Sequence, residues 1–178
     1  YVSENHGQTF TAMDNGLPHT LVFQLAGTPD NAVLFAATEI GPYVYSFYED
    51  TLGIKKQLKY TGRCIYGDFD GKWKYWYKNG QIEKEGTYLD GVVYGDWKFY
   101  HENGNLEKEV TYKGLREEGY PNPILHGDYV EYYENGQIRI EGRYIDGDKV
   151  GEHISYHENG KIASKGNYII VNKYNRGI

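Results

Sequence analysis

The sequence predicts an all-β protein: an elongated antiparallel sheet of stacked β-hairpin repeats, preceded by a smaller set of strands. Three observations carry this. Asn-Gly recurs at Asn79-Gly80, Asn103-Gly104, Asn135-Gly136 and Asn159-Gly160, spaced by 24, 32 and 24 residues. Asn-Gly between strand-like runs is a strong hairpin signal, since a type I′ turn needs φ > 0 at both central residues. A fixed period of this size marks a repeat architecture. The chain also holds 20 tyrosines and 23 glycines in 178 residues, a composition suited to short strands and tight turns.

The net charge of −6 argues against a nucleic-acid partner drawn by bulk charge. Cys64 is the single cysteine, so no internal disulfide framework exists. No apolar run approaches the ~20 residues of a membrane-spanning helix. The chain begins at Tyr1, as a fragment or processed form would, so the lack of a targeting segment is uninformative.

Residues 1–48 lack the Asn-Gly period. They open with Ser3-Glu4-Asn5-His6-Gly7-Gln8-Thr9-Phe10. Runs at 20–25, 32–37 and 43–47, separated by Thr28-Pro29-Asp30-Asn31 and Gly41-Pro42, read as three strands. The opening segment resembles an Asp-box (Ser3, Asn5, Gly7, Thr9 and Phe10), with Asn5 in place of aspartate and Phe10 in place of tryptophan. With the strands that follow, it is similar to part of the Asp-box β-propellers of the sialidase and glycosidase kind. That resemblance implies a structural hairpin remote from any catalytic centre, and fewer than two blades of the roughly 4–8 a propeller needs.

Residues 49–172 hold the repeats: a degenerate one at 48–60 and full ones at 71–91, 95–112, 127–144 and 151–168, with 173–178 as a tail. The longer interval carries an eight-residue insertion within 113–123, between hairpins, where a solenoid tolerates it. With a two-residue turn, Tyr77 faces Ile82 and Trp73 faces Gly86. Period-two alternation then puts Trp73, Tyr75, Tyr77, Ile82, Gly86 and Tyr88 on one buried face. The expected repeat core is Trp73, Trp97, Tyr129, Ile82, Leu106, Ile138, Ile162, Tyr88, Tyr112, Tyr144 and Tyr168. Each tryptophan is expected to cover the backbone that the opposite glycine leaves bare. His153 takes the Trp73 position in the last repeat, so that hairpin is expected to be the least stable.

The pattern Gly-x-Trp-x-x-Tyr-x-x-Asn-Gly-x-Ile-x-x-x-Gly-x-Tyr resembles the MORN-repeat variant family, common in bacterial proteins, some named as antitoxins of toxin–antitoxin systems. The resemblance covers about two thirds of the chain. It implies a hairpin sheet used for binding, with no catalytic residues to transfer.

Catalytic, cofactor and metal sites are not expected. His101 and His157 share a repeat position, but that position is Tyr77 and Tyr133 elsewhere and lacks ligand spacing. Glu83/Glu85 and Glu107/Glu109 alternate with lysines, as a solvated charge ladder does. Asp68-Phe69-Asp70-Gly71 and Asp146-Gly147-Asp148 lack the further ligands of a calcium loop and suit turns. The wet face carries one recurring aromatic position, Trp76, Tyr100, Tyr132 and Tyr156. It reads either as packing beneath Lys and Glu stems or as a binding stripe for a protein segment or a carbohydrate.

The expected function is a non-catalytic scaffold for protein–protein or protein–surface interaction. Two alternatives stand beside it: a module of a secreted glycan-binding or glycan-processing propeller protein, and an antitoxin-like component. The first alternative implies an extracytoplasmic location and the second a cytoplasmic one.

Overall fold

The structure, a computed structural model, describes residues 22–27, 33–38, 41–48, 57–114 and 123–170. All regular elements among them are strands. The first four are β1 (Val22–Gly27), β2 (Val33–Thr38), β3 (Gly41–Tyr48) and β4 (Gln57–Ile65). The next four are β5 (Asp68–Trp76), β6 (Ile82–Leu89), β7 (Val92–Tyr100) and β8 (Leu106–Tyr112). The last four are β9 (Leu125–Tyr132), β10 (Ile138–Ile145), β11 (Asp148–Tyr156) and β12 (Ile162–Tyr168). They form one 12-stranded sheet in sequence order, with every pairing antiparallel. The sheet runs unbroken from β3 into β4, through pairs such as Val44↔Gly62 and Tyr45↔Thr61. The residues of the Asp-box resemblance lie outside the described segments.

The hairpin ends alternate between two turn chemistries. At the Asn-Gly end the Tyr77 N–H donates to Gln81 O (2.9 Å) and the Gly80 N–H to Tyr77 O (3.0 Å), and the other three copies repeat this. Gly80 has φ of 89°, while Asn79 is not among the residues with positive φ. The loop is therefore three residues, Lys78-Asn79-Gly80, closed by a left-handed glycine, and not the expected two-residue type I′ turn. The Asn79 carboxamide explains the choice: its Oδ1 accepts the Gln81 N–H (2.9 Å). The two-residue turns with both φ positive stand at the opposite end, at Tyr66-Gly67, Asp90-Gly91 and Asp146-Gly147.

The longer loop shifts the register next to it. Ile82 faces Trp76 instead of Tyr77, and a bulge at Glu83 restores the expected Trp73↔Gly86 pair. Tyr100↔Leu106, Ile138↔Tyr132 and Tyr156↔Ile162 repeat the shift. A one-residue slip moves a side chain to the other face. Ile82 accordingly packs beside Trp76, in a cluster with Ala36, Leu58 and Tyr43, and not beside Trp73.

The tryptophans join repeats and do not close their own hairpins. The Trp73 ring lies over Gly62 of the preceding strand, and Trp97 lies over Gly86. A Cβ on either glycine would sit inside 3.0 Å of ring atoms. Trp73 Nε1 donates to Arg63 O (3.1 Å) and Trp97 Nε1 to Thr87 O (3.1 Å), each acceptor following the covered glycine. Trp73 is 1% exposed, stacked on Phe69 with Tyr88 edge-on. In β11 the same place is held by His153, over Gly142, with Nε2 2.8 Å from Arg143 O. That contact assigns the proton to Nε2 and leaves the buried Nδ1 without a partner. His153→Trp is expected to stabilise the protein by about 1 kcal/mol, since it removes an unsatisfied buried nitrogen and enlarges the covering ring. A urea midpoint at or below the parent's would count against this account.

Candidate functional site: a tyrosine and glutamate ladder

Three of the four strands that follow a three-residue loop, β6, β8 and β10, place a carboxylate (Glu85, Glu109, Glu141) one residue before the position that meets an aromatic side chain of the next strand. The tyrosine two strand-ends later donates to it. Tyr100 OH bonds Glu85 Oε1 (2.9 Å), Tyr132 OH bonds Glu109 Oε2 (2.9 Å) and Tyr156 OH bonds Glu141 Oε1 (2.5 Å). Lys74 and Lys98 bind the same Glu85 and Glu109 carboxylates at 2.9 Å each. The lysines and glutamates face each other across a hairpin, as the pairs Lys74↔Glu85 and Lys98↔Glu109 require. The phenols connect one hairpin to the next. The result is a row of rings and charges at repeat spacing, half-buried by its own stems.

Burial works against the charge of Glu85, but hydrogen bonds from Lys74 and Tyr100 outweigh it and hold the carboxyl below its usual range. Glu109 is also lowered, first by its bond from Lys98 and then, against partial burial, by Tyr132. Burial and then the bonded carboxylate push Tyr100 and Tyr132 up to about 12. Carboxyls more acidic in the folded state contribute stability above their ordinary value of 4.5, and this is lost as pH falls below it. Phenols with raised values contribute below 10.0, and this is lost as pH climbs from there toward about 12. The melting temperature is expected to fall at both ends, and Glu85→Gln with Glu109→Gln should flatten the acid limb. An acid limb unchanged in that double variant would refute the assignment.

Trp76, the first residue of the expected stripe, is 8% exposed and belongs to the cluster with Ala36 and Leu58. Tyr100, Tyr132 and Tyr156 share its strand position but not this cover. Among the expected core residues, Trp73 and Trp97 are buried, while Tyr88, Tyr112, Tyr129 and Tyr144 are half-buried, as are Ile82, Leu106 and Ile138. Ile162 and Tyr168 on β12 are exposed. The sequence pattern read Glu85 as a solvated charge, because a hairpin pattern alone does not show which residue of the next hairpin lies diagonally beside it.

A second row tightens the loops. Tyr77 OH donates to Tyr100 O (2.7 Å), Tyr133 OH donates to Tyr156 O (2.7 Å), and His101 Nε2 lies 3.2 Å from Tyr132 O. His101 thus does the work of a phenol. Asn79, Asn103 and Asn135 donate from Nδ2 to Glu102 O, Glu134 O and Glu158 O of the next loop. Asp70 pairs with Arg63, and Asp146 with Lys113 and His126. No group of three His, Cys, Asp or Glu among the described residues is placed to hold a metal. Cys64 is a free thiol, raised first by burial and then by Asp68. No helix among the described residues is long and apolar enough to cross a membrane.

These features define a solenoid of β-hairpins in which rings, phenols and carboxamides of each unit bond its neighbours. The repeats are of a known kind: the family described as MORN repeat variant matches residues 69–90, 94–113, 125–146 and 149–169. The chain carries four MORN-variant repeats. No curated protein matches it.

Proposed function

We propose that the protein is a non-catalytic repeat scaffold that binds another protein along the Tyr100, Tyr132 and Tyr156 row. The observation that supports this is the repeat-spaced row of phenols and paired charges on a sheet face that no other described element covers. Tyrosine offers a large amphipathic contact area at small entropic cost, and rows of aromatics mark interaction surfaces. MORN repeats are associated with modules that bind proteins or membranes. The carboxylates in this row and the net charge of −6 favour a protein over an anionic lipid surface.

Tyr100→Ser, Tyr132→Ser and Tyr156→Ser together provide the test. A photo-crosslinker placed in turn at Lys98, Val130 and Ile154, beside the row, should trap one and the same protein in the native cell. The triple variant should lose that adduct while its circular dichroism spectrum stays that of the parent. Different adducts at the three positions, or one adduct that survives the triple substitution, would exclude this face.

A further inference from the structure

The repeat rule leaves one glycine without its ring. Gly62, Gly86 and Gly142 each lie under an aromatic side chain from the following strand, but the atoms nearest Gly166 on β12 are those of Tyr168 of its own strand. β12 is the last strand of the sheet among the described residues; it exposes Ile162 (58%) and Tyr168 (43%), and Ile169 (79%) follows it directly. His157 and Asn159 stand where Tyr77, His101, Tyr133 and Asn79, Asn103, Asn135 bond the next loop.

Type I′ turns occupy Asp90-Gly91 and Asp146-Gly147, two and three residues after Tyr88 and Tyr144. In the sequence the same places after Tyr168 hold Ile170-Val171, which is not an Asp-Gly pair.

We propose that β12 pairs with β12 of a second copy of this chain, antiparallel about a two-fold axis at Asn167. Gly166 and Tyr168 are two residues apart and so share a face. An axis at Asn167 sets each Tyr168 opposite the other copy's Gly166, so both glycines gain the ring that their counterparts have. The pairing also sets Lys165 opposite Ile169, covering the most exposed isoleucine among the described residues with a lysine stem. Lys165 already holds Glu152 at 2.5 Å. Such an interface is isologous and closes at two chains, which removes the open edge.

Sedimentation equilibrium on the 178-residue chain tests this, with two variants at the exposed Ile169 that should melt like the parent. The parent is expected to dimerise. Ile169→Lys should weaken the dimer about tenfold, because lysine then faces Lys165 twice, and Ile169→Glu should tighten it. A parent that stays monomeric at high micromolar concentration would overturn the proposal. So would a dimer that responds equally to both variants.

Discussion

Gly86→Ala is expected to lower stability by about 3 kcal/mol, near the upper end for an overpacked site. The added methyl would meet the Trp97 ring inside 3.0 Å, and the ring cannot move aside without breaking its bond to Thr87 O. For a chain of this size that amounts to roughly 6–12 °C in melting temperature. Val110 shows what makes the site intolerant. It occupies the glycine position of the second repeat, and there the facing residue is Tyr129 rather than tryptophan. Trp97→Tyr in the Gly86→Ala background is therefore expected to recover part of the loss, although each change alone destabilises. Thermal melts of the two single variants and the double variant check this, and simple additivity would contradict it.

Trp73→Ala is expected to cost about 4 kcal/mol. Trp73 is the largest fully buried side chain among the described residues. Its removal strips the cover from Gly62, leaves Arg63 O without its indole donor and exposes the ring of Phe69. The ring adds side-chain contact to the backbone pairing of β4 with β5. Equilibrium urea unfolding followed by tyrosine fluorescence measures it. A loss under about 1 kcal/mol, in the range of an ordinary surface change, would mean that the ring is not what joins the units.

Much of the architecture was legible in the sequence. The Asn-Gly period located four hairpins, and the strand runs at 32–37 and 43–47 lie close to β2 and β3. The faces were partly misread, because the loop type is decided by side-chain bonds that no local pattern displays. Asn79 bonds both within its loop and to Glu102 of the next one, and the resulting three-residue loop carried Ile82 to the Trp76 side. The type I′ turns were hidden for a related reason. Asp146-Gly147 read as generic turn chemistry and Tyr66-Gly67 as nothing at all, since tyrosine is seldom found at positive φ. The Trp73↔Gly86 pair was anticipated, yet the ring lies over the glycine of the other neighbour, and register alone does not say which way a ring leans. His153 could have been read as a ring N–H donor from its alignment with Trp73 and Trp97.

The central claim is that the large rings bind each hairpin to the one before it. Proton NMR tests this most directly at Gly86. The account predicts that its Hα signals move upfield under the Trp97 ring current and show Overhauser contacts to the Trp97 ring protons. An unshifted Gly86, with Trp97 ring contacts confined to Val110 across its own hairpin, would contradict it.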